Sequence, residues 1–581
     1  MKFKKGILIL LIAVTVMAAV PVAVASGAGE GDDIIYKKSF GGSDSDHFFS
    51  VAAVPGGTVA AGYSYSGAPG SGQSGTDVSL DAIIVKFDDK GSVVWNKRFG
   101  GSGGDYFRSA VAVPGGYVAV GYSETFGDGD LKDIRGKGGT DTIIVKFDEN
   151  GNVEWKSNFG GAGTDNFYSV TAAPGGFVAA GYSNEFSFDN EDWTGVRGKG
   201  DLDAIIVRFD SNGGTVWKKS LGGSGIDRYY SVTTVQDGFV AVGYSNSLGS
   251  GDWAGFNKKG GFDAIIVKYD VNGEMMWKKD LGGAGWDGYL SVTAVSDGII
   301  AAGFSWEESF GSGDWAGFKR KGTTDATIVK YDNNGNVMWK KNFGGEGADE
   351  FRSVTTASDG FVAVGSSNMF GSGDWAGFSG RGGTDAIIVK YNSDGEVAWK
   401  RNFGGPGDDI YESAAVSSGG VVAAGGSSNT SDSDDWAGIP SKGKDDAVIV
   451  KHSLTVLPFY IDVVGVPDET FAGTDLALTG TVMSSEELDK AIVWSVKDAG
   501  TTGSALNGNT LSTEEEGRVV VTATVKDGIG PGNDFMKDFT ITVLSPEQGG
   551  GLGTLLWIGI VAAIFVICVA AAAVLITGRN R

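Results

Sequence analysis

Residues 311–345 read GSGDWAGFKRKGTTDATIVKYDNNGNVMWKKNFGG, and the core of this stretch returns throughout the chain. Counted on its DAIIVK-like run, the copies begin at Asp81, Asp141, Asp203, Asp263, Asp325, Asp385 and Asp446, so successive intervals are 60, 62, 60, 62, 60 and 61 residues. A period this long, built from short strands and glycine turns, belongs to a propeller or solenoid and not to a globule with one core. In the copy near Phe351 the strands read FRSVTTA, FVAVGSS, DAIIVKY and EVAWKRNF. Each is rich in Val, Ile and aromatics and bounded by Gly, Asn or Asp. The turns before the second and fourth strands carry Asp-Gly, Asn-Gly or Gly-Gly, which supply the positive φ of tight hairpins. The other connections are an FGGxGxD segment and the long loop holding Asp-Trp.

Four antiparallel strands per unit, seven units and no helical run predict an all-β fold, a seven-bladed β-propeller over 26–453. Ahead of the first unit, IIYKKSF (Ile34 to Phe40) is a lone fourth strand, whereas the last unit offers only AAVS, VVAAGG and DDAVIVK. Pairing that N-terminal strand with the last three closes the final blade and leaves no open edge.

The stretch DTIIVKFDENGNVEWKSNFGGAGTDNFYSVTAAPGGFVAAGYS from Asp141 resembles the β-propeller repeats of the SBBP and delta-60 type in prokaryotic cell-surface proteins. The resemblance implies an extracellular binding or scaffold module with no shared catalytic residue, since fold alone does not confer an activity. After the repeats, over 454–544, AIVWSVKDAGTTGSALNGNTLSTEEEGRVVVTATVKDG is similar to bacterial immunoglobulin-like domains of group 2. That implies a small β-sandwich around Trp494, acting as a spacer. SPEQGGGLG, 545–553, is a short flexible link.

The two ends set an expected compartment. Lys2, Lys4 and Lys5 precede an apolar run and an Ala-Val-Ala cleavage site, giving a signal peptide over 1–25. An uncharged apolar run predicts a single transmembrane helix over 554–577, with a cytoplasmic tail of 578–581 behind it. The expectation is a single-pass cell-membrane protein with most of the chain outside the cell. Cys568 is the only cysteine, so the exported part would hold together without disulfides. A net charge of -24 argues against nucleic acid as a partner, because phosphate binding needs a cationic face.

The sharpest ligand-binding candidates are the repeated loop pairs Asp192-Trp193, Asp252-Trp253, Asp314-Trp315, Asp374-Trp375 and Asp435-Trp436, with basic residues such as Lys199, Lys259, Lys321 and Arg381 behind them. An aromatic face beside acids and cations suits a sugar ring, and several copies would add avidity. The other reading is packing, with each Trp tucked under its own loop or against the next blade. A second set is the acid before each innermost strand: Asp46, Asp105, Asp165, Asp227, Asp287, Asp349 and Asp409. A ring of carboxylates suits Ca²⁺, whereas acids that cap their own glycine turns hold no metal. The tryptophans of the fourth strands, Trp95, Trp155, Trp217, Trp277, Trp339 and Trp399, resemble the tryptophan-docking motif of quinoprotein dehydrogenases, which implies a role in locking blades together. Asn429-Thr430-Ser431 is a glycosylation sequon.

His47 and His452 are the only histidines, and no Ser-His-Asp arrangement, histidine-rich metal cluster or phosphate-cradling glycine loop is identifiable. The expected function is therefore non-catalytic: adhesion or scaffolding, with the loop face binding a surface glycan, an envelope polymer or a surface protein. The alternatives are a glycan hydrolase or lyase using paired acids, and a purely structural envelope protein. No cofactor is expected.

Overall fold

The computed structural model describes residues 34–65, 79–430, 433–454, 461–464, 466–484, 491–530 and 533–545. The expected signal peptide and tail lie outside them, as does all of the link beyond Ser545. The expected single-pass membrane placement is corrected: among the described residues no helix is long and apolar enough to cross a membrane, and the run 554–577 that carried the expectation lies outside them.

The chain divides into two compact units, the first ending at Val456 and the second beginning at Leu457. The first holds seven four-stranded antiparallel sheets, a propeller-like arrangement. Sheet one runs from Asp46 to Phe99, sheet two from Asp105 to Phe159, sheet three from Asp165 to Leu221, sheet four from Asp227 to Leu281, sheet five from Asp287 to Phe343 and sheet six from Asp349 to Phe403. Sheet seven takes Asp409–Ser417, Gly420–Ser427 and Asp446–His452 from the end of the repeats and Ile34–Phe40 from their start.

The third strand shows why the sequence lacks alternation. Asp385–Tyr391 (DAIIVKY) is buried along its whole length, so both faces meet apolar neighbours and a continuous apolar run results. The cores lie between sheets. Ala204, Ile206 and Leu221 of sheet three pack with Tyr229, Val232 and Ile265 of sheet four, and Trp217 packs against the same cluster. The fourth-strand tryptophans reach onward: Trp95 donates Nε1–H to the Glu149 carbonyl in the next sheet's hairpin at 3.1 Å. That hairpin turns on Gly151, whose φ is 78°; a Cβ there would lie 2.8 Å from the Trp95 ring. Glycine is thus required twice over, for the turn and for the close approach of the indole.

The first strands form the inner wall, each touching the first strand of the next sheet, and that of sheet seven touching that of sheet one. A serine in each strand seals the contact. Ser50 Oγ accepts the Ala110 amide at 3.3 Å, Ser109 that of Val170 at 3.2 Å and Ser169 that of Val232 at 3.1 Å. Ser231 accepts Val292 at 3.2 Å, Ser291 accepts Val354 at 3.0 Å and Ser353 accepts Ala414 at 3.2 Å. Ser413 then accepts Val51 at 3.1 Å, and the series closes on itself.

The second unit is a separate small β structure. Glu469–Phe471, Asn533–Leu544, Gly517–Gly530 and Ile492–Asp498 form one sheet, beside a three-stranded and a two-stranded one. Trp494, Val519, Val521, Leu511 and Ile541 fill its core.

Candidate functional site

The five Asp-Trp loops are fasteners. Trp193, Trp253, Trp315, Trp375 and Trp436 are each 0% exposed, which corrects the expectation that their rings face a ligand. Each indole donates to the acid that opens the first strand of its own sheet: Trp193 to Asp165 at 2.9 Å, Trp253 to Asp227 at 2.8 Å, Trp315 to Asp287 at 2.9 Å, Trp375 to Asp349 at 2.8 Å and Trp436 to Asp409 at 2.8 Å. The ring packs across the boundary as well, Trp375 standing edge-on to Phe343 of the preceding sheet at 5.1 Å.

The loop aspartates reach the same boundary. Asp252 Oδ2 accepts the Gly222 amide at 3.0 Å and pairs with Lys199 of the preceding loop at 2.9 Å. Asp192 with Lys137, Asp314 with Lys259, Asp374 with Lys321 and Asp435 with Arg381 repeat the pairing. Lys137, Lys199, Lys259, Lys321 and Arg381 are therefore spent on the next sheet's loop. Sheet two keeps the design without the indole, since Asp130 Oδ2 accepts the Gly100 amide and Leu131 is buried in the Trp position.

The seven strand-opening acids are likewise internal. Asp46, Asp105, Asp165, Asp227, Asp287, Asp349 and Asp409 are all buried, each accepting an amide of its own double-glycine segment, as Asp227 does from Gly223 at 2.9 Å. Each also sits in a cross-strand row of acid, serine and acid, such as Asp227, Ser245 and Asp263. Burial pushes these acids up, with Asp105 at about 7 and Asp349 at about 6. Among the described residues no group of three or more His, Cys, Asp or Glu has the geometry to hold a metal. Asn429 of the sequon is half-buried, and Thr430 donates to Asp446 at 2.6 Å from a buried position.

What the repeats do not copy lies three residues after each of those acids. There the strand register breaks, and Phe49, Arg108, Tyr168, Tyr230, Leu290, Arg352 and Glu412 each form a β-bulge. A bulge re-aims a side chain, and the opposite strand admits it through glycine. At Gly121 a Cβ would fall 1.8 Å from the Tyr106 carbonyl oxygen. The bulge side chains meet around the enclosed space: Tyr168 stacks on Tyr230 at 4.9 Å, Arg352 pairs with Glu412 at 3.1 Å, and the Arg108 guanidinium lies 4.0 Å from the Phe49 ring and 5.3 Å from that of Tyr168. Burial pushes the Glu412 carboxyl up, but Arg352 and His47 more than offset this and bring it to about 2. An acid held that low is a poor proton donor.

From this wall an aromatic path runs outward. Tyr230 contacts Tyr244 at 5.1 Å, Tyr244 contacts Phe262 at 4.9 Å, and Phe262 contacts Trp286 at 4.8 Å. Trp286 then stacks on Trp306 at 4.6 Å and 12°. These two tryptophans are 42% and 38% exposed, unlike any in the Asp-Trp loops. Sequence reasoning missed both features. Aligning the repeats exposes them, because the third residue after each acid varies and Trp286 occupies a position held elsewhere by small, polar or aliphatic residues.

No protein-family model matches the chain. A curated relative, the regulatory protein FlaEY of Caulobacter vibrioides, is 26% identical over 215 residues, 35% of this chain and 22% of that protein. The chain thus spans less than a quarter of that relative's length. Among solved structures, puromycin hydrolase gives a TM-score of 0.37 at 11% identity, covering 83% of this chain and 59% of the other. The extracellular domain of a one component system from B. thetaiotaomicron gives 0.35 at 11% identity, covering 89% and 59%. Europium-containing methanol dehydrogenase gives 0.34 at 10% identity, covering 70% and 81%. Likeness at this level transfers no activity.

Proposed function

We propose that the chain is a non-catalytic binding protein, a seven-bladed β-propeller accompanied by an immunoglobulin-like sandwich, which binds a saccharide chain at the end bearing the long loops. The observation that carries this reading is the exposed, parallel Trp286–Trp306 pair, continuous through Phe262 and Tyr244 with the tyrosines of the inner wall. The apolar surface that this stacked pair leaves exposed can pack against the C–H faces of pyranose rings, and the amphipathic indole edges tolerate the surrounding hydroxyls. The path joins these apolar rings to the hydroxyls of Tyr230 and Tyr244, a mixture of apolar and polar groups that ligand sites also use.

The test is retention of the full chain on a panel of immobilised polysaccharides, with Trp286→Ala and Trp306→Ala alongside. Because both rings are partly exposed and pack mainly on each other and on Phe262, the variants should stay folded with only a small drop in melting temperature and lose retention. Retention unchanged in the double variant, or no retention by the parent chain on any polysaccharide, rejects the reading.

A further inference from the structure

Arg108 and Arg228 differ in their surroundings from the arginines that pair with acids. Arg98 pairs with Asp81, Arg135 with Glu191, Arg320 with Glu307, Arg352 with Glu350 and Glu412, and Arg381 with Asp435. Neither Arg108 nor Arg228 has a carboxylate partner among the described residues. Arg108 lies among the rings of Phe49, Tyr106, Tyr122 and Tyr168, with a long hydrogen bond of 3.3 Å from Nη2 to the Tyr122 hydroxyl. Arg228 lies 4.6 Å from the Tyr182 ring, reaches the Tyr244 hydroxyl at 3.4 Å and also hydrogen-bonds the Tyr230 hydroxyl.

Both side chains are half-buried on the inner strands of sheets two and four, flanking the stacked Tyr168–Tyr230 pair. A guanidinium carries five N–H donors, and one phenol bond at Arg108 and two at Arg228 leave most of them unused. Aromatic walls hold the planar forks in place and restrict competing water, so an anion would meet donors that are already oriented. The rest of the protein opposes this charge, with a net of -24. That repulsion is screened beyond about 8 Å at physiological salt, leaving contact with the guanidinium groups to decide.

We infer that Arg108 and Arg228, one on either side of the Tyr168–Tyr230 stack, offer two anion contacts that receive carboxylates or sulfates of an acidic saccharide whose rings lie along the Tyr244–Trp306 path. The inference rests on the saccharide reading above and names the class of saccharide. Tyr168 and Tyr230 stand between the two, while Glu350 and Glu412, both in contact with Arg352, make the opposite arc unsuited to anions.

The experiment compares oligogalacturonate with its methyl ester, which has the same rings but no charge, on the full chain. The acid should bind at least about tenfold more tightly than the ester. Arg108→Gln combined with Arg228→Gln should bring the acid down to the ester's affinity and leave the ester and the circular dichroism unchanged. Equal affinities in the parent chain, which needs no variant to be read, overturn the inference, as does a preference that survives in the double variant. A second readout is the melting temperature in sodium sulfate against sodium chloride at matched ionic strength. A sulfate-specific rise that the double variant removes, without binding of either oligomer, supports the anion contacts and rejects the polymer reading. Binding of both oligomers that Trp286→Ala and Trp306→Ala remove, without any sulfate effect or acid preference, keeps the polymer reading and rejects the anion contacts.

Discussion

Trp253 donates its indole N–H to Asp227 Oδ1 at 2.8 Å, with both side chains closed to solvent. One loop thereby ties its own sheet to itself, while the adjoining Asp252 holds Gly222 and Lys199 of the preceding sheet. Trp253→Ala should lower stability by about 3–5 kcal/mol, since it opens a cavity between sheets and removes one of the donors to a buried acid, leaving Gly223 and Ser247. Trp253→Phe should fall between, keeping most of the packing and losing the hydrogen bond. Urea unfolding measures both, and a loss under about 1 kcal/mol for the alanine variant would show that the loop is dispensable to the core.

The same pair marks the limit of sequence reading. Strands, hairpin turns and the N-terminal strand of sheet seven follow from composition and period, because glycine placement and apolar runs are local signals. Whether a repeated tryptophan faces inward is not local. Trp253 and Trp286 both sit in glycine-rich loops, yet only the first has an acid within reach behind it and a neighbouring sheet to cover it. The bulge residues escaped notice for a related reason: Arg108 and Tyr168 look like ordinary members of short strands until the register shows them standing outside it.

Sheet two lacks the indole, and Asp105 shows the consequence. Burial pushes its carboxyl up to about 7, with Asp81 and Asp128 adding to the rise and bonds from Ser123 and Gly101 opposing it. The unfolded value is near 3.9, so the folded chain binds this proton more tightly. Its stabilising contribution is full below about pH 4 and is lost as pH rises through about 7. Asp105→Asn does not titrate. Its stability relative to the parent should therefore rise by about 2–4 kcal/mol between pH 4 and 8, with the other acids and His452 cancelling in the comparison. A flat difference across that range would refute the assignment.

Gly121 faces the Arg108 bulge so closely that a methyl group would overlap the Tyr106 carbonyl. Gly121→Ala should cost about 2 kcal/mol or more, because backbone and not a flexible side chain must yield. The equivalent change at Gly115, where nothing lies within 4 Å of a Cβ but φ is 78°, should cost only the strain of that turn, about 1 kcal/mol. Thermal melts of the two variants test whether the bulges are built into the wall; equal losses would argue that they are not.

The closure of the ring offers the most direct test of architecture. Ile34–Phe40 completes sheet seven by pairing with Asp446–His452, and Phe40 and Tyr36 enter the core beside Phe48 and Phe87 of sheet one. Lys442 in turn donates to the Ser39 carbonyl, and Lys37 donates to that of Asp435 at 2.7 Å. Replacing the strand by a Gly/Ser sequence of equal length would leave the third strand of sheet seven as an unpaired edge and expose one side of the last interface. Such an edge recruits strands from other chains, so the variant should unfold at lower temperature and self-associate in a concentration-dependent way. The synthetic peptide IIYKKSF added in trans should occupy the vacant place, raise the melting temperature by mass action and suppress association. If the variant stays monomeric with the parent's melting temperature, the N-terminal strand is not what closes the ring.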